Sequence, residues 1–372
     1  MKCAISRQEV TESRADGRGS AVVVGTSLAG LMTALCLSRA GIDVTMLERS
    51  DDSGRTGAAV HVGEGLLERL TGRSETGALP HGVQTWFTVH GRLRAAVEAD
   101  GRIELHQNVR VRDVGQDDGS AWAVTSDGRT FRGDIVVGAD GHRSTVRRAV
   151  CPDNADATFA GYLIWLGLTE EWALPPGTRW PGDVAYLESG DCILLGYPLP
   201  GPDGSTAMGT RQLGWAWYDR GRNDLLRRSG CVADDIVRHS LTGADIPDQT
   251  YRELADEARR RWPSPWRDAI LDCTDRHAVI GTPIAEYVPD SLAMGRLALV
   301  GDAAHVPTPM TGSGFGASLS DAEALADAVR AGVRGDRAVA ALRDYERRRL
   351  TAARSMVESG RQFSRRFAGR RG

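Results

Sequence analysis

Several features that often decide the class of a protein are scarce in this chain. Lysine is nearly absent, because Lys2 is the only lysine among 46 basic residues, and we attribute this to a GC-rich coding sequence. The six cysteines include no close pair and no metal-ligand spacing, which argues against a disulfide scaffold and a cysteine-bound metal. Free thiols in a reducing compartment are the simpler interpretation.

Long apolar runs are also lacking. No stretch approaches the roughly 20 apolar residues that a membrane-spanning helix needs, and the N-terminus lacks a signal-peptide core. We therefore expect a soluble, cytoplasmic protein. The net charge of −3 argues against a dedicated nucleic-acid binder, because such proteins carry a basic surface. The 372 residues, 41% of them hydrophobic, suffice for two domains with their own cores.

The stretch from Leu297 to Asp321 predicts a ligand-binding loop. It opens with four apolar residues, typical of a buried strand, and ends in a helix of small residues. The loop between them contains Gly301, Asp302, Pro307, Pro309, Gly312, Gly314 and Gly316. A strand that leads through such a loop to a helix N-terminus brings backbone N–H groups onto a negatively charged ligand.

A second nucleotide signal lies near the N-terminus. The run Ala21–Val24 predicts a buried strand, and the turn Gly25–Gly30 leads into residues with helical spacing. Another strand follows and ends at Glu48, 18 residues beyond Gly30. This pattern is typical of a dinucleotide-binding βαβ unit, in which the acid binds the ribose hydroxyls. Ser27 stands where the pattern usually has its middle glycine.

The rest of the chain divides into a β-rich middle and a helical end. Short alternating runs predict a β-meander over 103–124, and another buried strand leads to Asp140-Gly141. Aromatic residues alternate with polar ones over 158–218, as in strands of a mixed sheet, and together they suggest an apolar pocket. Helical patterns cover 224–240, 251–272 with an interruption at 263–265, 317–331 and 337–367, followed by a basic tail that we expect to face solvent.

Three motifs now stand in one order: Gly25–Gly30 with Glu48, then Asp140-Gly141, then Gly301–His305 with its glycine loop. In this order they resemble the single-component FAD-dependent aromatic hydroxylases, the para-hydroxybenzoate hydroxylase-like flavoprotein monooxygenases. The resemblance implies an α/β fold, with a Rossmann-like FAD-binding domain of the GR2 type, a mixed β-sheet substrate domain and C-terminal helices. Residues 161–165 and 196–200 resemble the branch that contains dihydroxypyridine hydroxylase.

The resemblance also implies a domain organisation in which the FAD-binding domain is discontinuous. The expected parts are a disordered lead-in over 1–19, an FAD-binding domain over 20–157 and 277–335, a substrate domain over 158–276, and a C-terminal helix with a basic tail over 336–372.

FAD is the implied cofactor, and NAD(P)H the co-substrate. Glu48 would accept hydrogen bonds from the adenosine ribose, and Asp302 would contact the pyrophosphate and ribityl region. The N–H groups of Gly314–Gly316 would face the pyrimidine edge of the flavin, and Arg143 would help to bind NAD(P)H. The cofactor-binding candidates are Gly25, Ser27, Leu28, Ala29, Gly30, Glu48, Arg49, Arg55, Asp140, Asp302, Pro309, Gly312, Gly314, Phe315 and Gly316.

The implied reaction is hydroxylation of an aromatic or polycyclic small molecule with NAD(P)H and O2, through a 4a-hydroperoxyflavin. No metal is required. A phenolic substrate needs a group that draws its proton, and the candidates are His61, Tyr186, Arg211 and His305, of which none is favoured over a structural role.

Other functions fit the same motifs, because a fold does not fix a reaction. They are epoxidation, Baeyer–Villiger insertion, dehydrogenation, and a flavin-binding partner or sensor without turnover. A flavin halogenase is disfavoured, because no lysine beyond Lys2 is available to relay hypohalous acid.

Two departures from the family pattern lie close to the site. The region between Leu70 and Gln84 is short, and His90 stands where an arginine that contacts FAD is common. Arg55 and Arg92 are possible substitutes for that arginine. The short region implies either an open pocket for a large polycyclic or carrier-bound substrate, or weaker FAD binding.

Overall fold

The structure, a computed structural model, describes residues 18–50, 59–72 and 81–369. The predicted role of Arg55 and nearly all of the predicted lead-in therefore lie outside the described residues. Within the described ranges, no helix is long and apolar enough to cross a membrane.

The strands and helices alternate in the first part of the chain and again near its end. The strands are β1 (Ser20–Val24), β2 (Asp43–Leu47), β3 (Ala59–Val62), β4 (Gly82–Thr85), β5 (Ile103–His106), β6 (Val111–Gln116), β7 (Ala121–Thr125), β8 (Thr130–Gly133), β9 (Ile135–Gly138), β10 (Thr158–Glu170), β11 (Ala185–Ser189), β12 (Cys192–Leu199), β13 (Gln212–Asp219), β14 (Val232–Ala233), β15 (Ile236–Val237), β16 (Ile280–Glu286), β17 (Ala293–Met294) and β18 (Leu297–Leu299). The α-helices are α1 (Leu28–Arg39), α2 (Leu66–Thr71), α3 (Trp86–Glu98), α4 (Thr145–Val150), α5 (Asn223–Arg228), α6 (Asp248–Arg261), α7 (Trp266–Asp275), α8 (Gly314–Ala328) and α9 (Arg337–Phe367).

The first sheet has the order β17-β18-β9-β1-β2-β5. All its pairs are parallel except the one between β17 and β18. The four inner strands, β18, β9, β1 and β2, are almost wholly buried, as apolar runs in parallel sheets are. Helices α1 and α8 follow β1 and β18 and pack against each other. This is the predicted Rossmann-like arrangement.

The second sheet has the order β11-β12-β13-β10-β15-β14, with β16 also paired to β10. We predicted strands of a mixed sheet here, and every strand pair is antiparallel. Helices α6 and α7 cover one face over a core rich in tryptophan, and the other face points toward the first domain. Because β16 belongs to this sheet, residues 280–286 do not lie in the first domain, where our 277–335 boundary would place them.

Helix α9 links the two parts of the molecule. Its bounds match the predicted 337–367. Near its start, Leu342 and Tyr345 lie in the core of the first domain, whereas Phe363 and Phe367 near its end pack against the second sheet. The helix is therefore more than a C-terminal extension, because it contributes to both cores.

The predicted helix over 224–240 is wrong beyond its first turns. Helix α5 ends at Arg228, and Gly230 follows with a φ of +73°. Strands β14 and β15 then form a tight hairpin, in which Asp234 and Asp235 have φ of +53° and +56°. Left-handed residues cannot continue a right-handed helix, although the apolar spacing alone favoured one.

Candidate functional site

One edge of the first sheet gathers residues from distant parts of the chain. Strand β1 pairs in parallel with β2 and β9, and β9 pairs in parallel with β18, so all four strands end at the same edge. The residues that follow them are Gly25 after β1, Glu48 after β2, Asp140 after β9 and Asp302 after β18. The structure thus brings all three sequence motifs together where parallel α/β sheets bind their ligands.

The turn from Gly25 to Gly30 depends on missing side chains. Gly25 has a φ of +101°, and a Cβ there would lie 2.4 Å from the carbonyl oxygen of Ala139. A Cβ at Gly30 would lie 2.0 Å from the carbonyl oxygen of Gly25. Across the turn, Gly301 allows the β18 loop to approach Ala29, whose Cβ would be 2.5 Å from a Cβ at Gly301. The turn has no room for side chains at these glycines, and its bare backbone can approach a ligand closely.

The other predicted cofactor residues near this turn differ in what they can offer. Ser27 begins α1 as its N-cap, but its side chain makes no capping hydrogen bond. Leu28 is buried in the core, so only its backbone faces the turn. Arg49 is exposed just beyond β2.

Glu48 accepts four hydrogen bonds from its own chain. Its Oε2 accepts from the amide and hydroxyl of Thr26 at 2.9 and 2.8 Å, and its Oε1 accepts from the amide and hydroxyl of Ser50 at 3.0 and 2.9 Å. Burial by itself would raise the pKa of Glu48, but these bonds outweigh it and hold the pKa below its ordinary value. A carboxylate has about four lone-pair positions, so a ribose hydroxyl would have to displace one of the two hydroxyl donors.

His90 contacts the backbone of the same turn. Its Nε2 lies 3.0 Å from the carbonyl oxygen of Thr26, and its ring stacks on Trp86 at 4.4 Å. Burial lowers the pKa of His90, against the opposing effects of the Thr26 hydrogen bond and the Glu48 charge. The imidazole is therefore neutral at pH 7, and it shapes the turn without supplying the positive charge of an arginine. Arg92, a possible substitute, is exposed on α3.

Asp140 is engaged with helix α4. Its carboxylate accepts from the Ser144 hydroxyl at 2.5 Å and from the Thr145 amide at 2.6 Å, which caps the helix. Burial raises the pKa of Asp140 despite these bonds. The predicted NAD(P)H residue Arg143 donates to the backbone carbonyl of Arg238, so it contacts the second domain.

Arg147, which our sequence analysis missed, joins the Asp140 and Asp302 loops. It is fully buried, its guanidinium stacks 4.2 Å over the ring of Tyr287, and burial lowers its pKa. It donates to the backbone carbonyls of His142, Ala155, Asp302 and Ala303. The carboxylate of Asp302 itself is half-buried and has no hydrogen-bond donor within the described ranges, so it is available to a ligand.

The glycine-rich loop leaves open space at the N-terminus of α8. Pro309 starts an exposed single turn, and Gly312 ends it with a φ of +60°. Helix α8 begins at Gly314, three residues before the predicted start, and Phe315 packs toward the core. A Cβ at Gly316 would meet no atom within 4 Å. Backbone N–H groups at this N-terminus therefore face space that a flavin ring can occupy.

His305 is buried in a hydrogen-bond network that includes the ion pair of Asp321 and Arg349. Its Nε2 lies 2.7 Å from Oδ2 of Asp321, which also accepts from the amide of Gly301 at 3.0 Å. The other oxygen of Asp321 accepts from Nε of Arg349 at 2.8 Å. Both His305 and Asp321 are fully buried. These contacts fix the β18 loop on α8 and α9, which is a structural role.

Several residues of the site escaped the sequence analysis. They are Thr26, Ser50, Arg147, Asp321 and Arg349. A weak signal existed only for Asp321, an acidic residue on the small-residue helix that closes the glycine-rich stretch. The others are ordinary polar residues whose partners are fixed by tertiary packing.

Two of the proton-acceptor candidates have local partners on the second sheet. The hydroxyl of Tyr186 donates to Glu188 at 2.6 Å, and this bond raises the pKa of Tyr186 to about 12. Arg211 pairs with Glu171 through two bonds, of 2.5 and 2.9 Å, and stacks over Trp180 at 4.2 Å. Tyr186 lies on the edge strand β11, directly opposite Leu195 of β12.

His61 lies on the ribbon of β3 and β4 that separates the two domains. Val60 and Val62 pack into the first-domain core, whereas Ala59 and Val83 pack against the second sheet. Side chains alternate along a strand, so His61 shares the face of Ala59 and points toward the second sheet. His61 is exposed and has no hydrogen-bond partner among the described residues.

The second sheet turns an aliphatic face toward this ribbon. The face consists of Ile164, Leu166 and Leu168 on β10, Leu195 and Tyr197 on β12, and Ala216 on β13. The ring of Tyr197 lies across Gly214, where a Cβ would come within 2.0 Å of it. Met310, from the loop before α8, packs against the same cluster. The glycine-rich loop thus contacts the cluster to which this face belongs.

Comparisons with known proteins agree with this arrangement. A family model described as FAD binding domain matches residues 18–74 and 228–360, just over half of the chain. The 2,6-dihydroxypyridine 3-monooxygenase of Paenarthrobacter nicotinovorans is 26% identical over 343 residues, covering 82% of this chain and 81% of that protein. The 3-hydroxybenzoate 6-hydroxylase of Polaromonas naphthalenivorans is 25% identical over 382 residues, covering 92% of this chain and 87% of that protein.

The solved structure of 2,6-dihydroxypyridine-3-hydroxylase from Arthrobacter nicotinovorans is also similar. It has a TM-score of 0.76 at 23% identity, over 95% of this chain and 93% of that one. At this identity the likeness shows the fold. Because relatives with two different substrates match at nearly equal identity, the dihydroxypyridine branch stays a prediction.

Proposed function

Because the chain belongs to the FAD binding domain family and is an FAD-dependent monooxygenase of the aromatic hydroxylase type, we propose that it hydroxylates an uncharged aromatic or polycyclic molecule. The substrate would lie between the aliphatic face of the second sheet and the N-terminus of α8.

The observation that carries this proposal is the packing of Met310 against the aliphatic face. Met310 lies in the turn that leads to Gly314, and it joins the same cluster as Leu166 and Leu195. A ring held on this face would therefore lie beside the loop that we propose to bind the flavin. Apolar pockets with few polar groups are typical of small-molecule sites.

The residues of the first domain would bind the cofactor through backbone N–H groups and through one carboxylate. The turn at Gly25, where no Cβ fits, would hold the phosphates, and the N–H groups after Gly312, which face open space, would hold the flavin. Asp302 offers a carboxylate that accepts no hydrogen bond from the part of the chain that the structure describes. When bound, FAD supplies hydride acceptance from NAD(P)H and the activation of O2, and the protein supplies orientation and exclusion of water.

The aliphatic face favours an uncharged substrate over a carboxylated one. The relatives are named for a dihydroxypyridine and a hydroxybenzoate, and the second of these carries a carboxylate. The charged side chain that shares this side of the sheet is the acidic Glu188, directly opposite Ile193, and it would repel a carboxylate. Burying a carboxylate on this face without a partner costs several kcal/mol of binding free energy, which is enough to abolish binding. An uncharged ring avoids this cost.

Anaerobic addition of NADH or NADPH to the FAD-loaded protein tests the proposal. The visible absorbance of the flavin is followed with a panel that pairs each uncharged aromatic compound with its carboxylated counterpart. We expect the uncharged members to accelerate bleaching and, with O2, to gain one oxygen atom as a hydroxyl group. Acceleration by the carboxylated members alone would contradict the proposed substrate class, and an epoxide or a ring-expanded product would contradict the reaction type.

Two variants locate the site. Leu166→Arg places a cation on the aliphatic face, and we expect it to abolish the acceleration by uncharged compounds while FAD still binds. Tyr186→Phe, on the edge strand of the same sheet, serves as the matched control and should behave as the parent protein. If Leu166→Arg keeps the acceleration as Tyr186→Phe does, the substrate does not bind on the aliphatic face.

A further inference from the structure

A chain of buried hydroxyl groups connects the glycine-rich loop to the end of α9. Thr308, directly before the loop's first turn, has its Oγ1 2.6 Å from the hydroxyl of Tyr162. The same hydroxyl lies 3.2 Å from Oγ of Ser364, which donates to Oε1 of Glu286 at 2.6 Å. The chain thus crosses from the first domain, through β10, to α9 and β16.

All four members of the chain are removed from solvent. Thr308 and Tyr162 are 0% exposed, Ser364 is 2% exposed and Glu286 is 6% exposed. The only positive group that pairs with Glu286 in the described structure is Arg361, whose Nε lies 3.7 Å from Oε2. A buried hydroxyl that loses its partner costs about 1–3 kcal/mol, so these groups are strongly held to one arrangement.

The hydrogen bonds have one consistent direction. Ser364 donates to Glu286, which leaves Oγ of Ser364 as the acceptor for Tyr162. The oxygen of Tyr162 is then the acceptor for the Thr308 hydroxyl. Each bond therefore fixes the rotamer of its donor side chain. The series of donors starts at Thr308, the residue directly before the first turn of the loop.

The backbone of α9 also touches the loop. Gly360, one turn before Ser364, sits so close that a Cβ would lie 2.8 Å from Cγ2 of Thr308 and 3.3 Å from Cγ2 of Thr311. Thr311 in turn donates to the carbonyl of Thr308 at 3.0 Å and lies 2.6 Å from the Ser313 hydroxyl. Helix α9 therefore packs directly against the turn that leads to the N-terminus of α8.

We propose that the last turns of α9 clamp the glycine-rich loop in its FAD-binding conformation, with Tyr162, Ser364 and Glu286 as positioning residues. The clamp rests on FAD binding at the N-terminus of α8. It acts at a distance, because none of its three residues belongs to that helix terminus or to the Gly25 turn. Thr308 is the point at which their arrangement is passed to the loop.

The hydroxyl groups can be removed without changing the packing. Tyr162→Phe and Ser364→Ala each break the chain, and Ser364→Thr restores the donor. Tyr218→Phe is the matched control, because Tyr218 is 1% exposed and its ring lies 6.0 Å from that of Tyr162. Its hydroxyl has no hydrogen bond in the described structure, so its removal leaves the chain intact.

Amide hydrogen exchange over 308–316 in the FAD-free protein is the first measurement. We expect Tyr162→Phe and Ser364→Ala to increase exchange there at least fivefold, and Ser364→Thr and Tyr218→Phe to leave it unchanged. The second measurement is the Kd for FAD from flavin fluorescence, which should rise about fivefold or more in the first two variants. The double variant should be no worse than either single one, because both break the same chain.

Three outcomes would overturn the proposal. One is unchanged exchange over 308–316 together with a Kd within twofold of the parent, even if the melting temperature falls. Another is an equal effect of Tyr218→Phe, which would indicate general loosening of the aromatic cluster. The third is an additive double variant. If the parent protein fails to bind FAD at all, the proposed function fails, whereas the exchange measurement on the FAD-free protein still decides on the clamp.

Discussion

The carboxylate of Glu48 accepts hydrogen bonds from both the amide and the hydroxyl of Thr26, at 2.9 and 2.8 Å. Thr26 is the second residue of the turn that begins at Gly25, so the acid expected to bind a ribose also holds the turn itself. Ser50 supplies the other two donors. Glu48 therefore acts on the site in two ways, through the shape of the turn and through its charge.

Glu48→Gln should lower stability at neutral pH. The amide nitrogen of Gln cannot accept hydrogen bonds, so two of four bonds are lost, at a cost of about 2 kcal/mol. The folded-state pKa of Glu48 lies below its ordinary 4.5, so its contribution is complete above that pH and is lost as the pH falls through the folded-state value. Urea unfolding should show a smaller difference in unfolding free energy between parent and variant near pH 3 than at pH 7. A difference that is the same at both pH values would contradict this assignment, and Glu98→Gln, on the exposed face of α3, is the control.

Gly30→Ala should prevent normal assembly of the turn. Its Cβ would lie 2.0 Å from the carbonyl oxygen of Gly25, which only a backbone shift can relieve, at about 3 kcal/mol. We expect loss of FAD binding, measured by flavin fluorescence, together with a lower melting temperature. Gly91→Ala is the control, because Gly91 lies in α3 with no atom within 4 Å of its added Cβ. That change should stabilise the helix by about 0.5–1 kcal/mol. An FAD affinity unchanged by Gly30→Ala would show that the turn does not bind the cofactor.

The sequence predicts those parts of the fold in which a local pattern and the final packing agree. The strand, turn and helix from Ser20 to Arg39 and the long helix α9 are of this kind. The predicted helix over 224–240 failed because its apolar spacing continues past Gly230, while two left-handed aspartates impose a hairpin. Apolar periodicity reports which face is buried, and it does not report where the backbone must reverse.

The site shows the same limit. Glycines and acids that follow a strand could be predicted, since their positions are fixed by the strand they end. The contact of His305 with Asp321, and that of Tyr162 with Ser364, join elements that meet only after folding. A buried polar residue needs a partner, but the sequence does not say which one.

Asp321→Ala tests whether the buried ion pairs of α8 are structural. The change leaves the fully buried His305 and the partly buried Arg349 without their shared carboxylate, which should cost about 3–5 kcal/mol. Urea unfolding measures the loss. Asp327→Ala on the same helix removes an exposed pair with Arg330 and should cost at most about 0.5 kcal/mol. Similar values for the two variants would mean that the buried network contributes no more than a surface pair.

Arg147→Lys tests the link between the Asp140 and Asp302 loops. A lysine ammonium has three N–H donors, so it cannot bond to all four carbonyls, and it cannot stack as a guanidinium does over Tyr287. We expect a loss of about 2–3 kcal/mol in unfolding free energy and a weaker affinity for FAD. The adjacent Arg148 pairs with Asp156 at the surface, so Arg148→Lys is a control of the same chemistry. If both substitutions prove equally mild, the buried guanidinium does not organise the loops.

His61→Asn tests the proton acceptor for a phenolic substrate. The register of β3 with β4 turns His61 toward the aliphatic face, and no described residue competes for its imidazole. An acceptor in this place contributes about 100-fold or more in rate while the phenol is protonated. The variant should therefore lose hydroxylation at pH 7 and recover much of it as the pH approaches 10, where a free phenol ionises without help. The pH profile of kcat is the measurement, and Tyr186→Phe, already bonded to Glu188, should leave the profile unchanged. A profile that falls equally at every pH would assign His61 to substrate positioning, and an unchanged profile would remove it from the reaction.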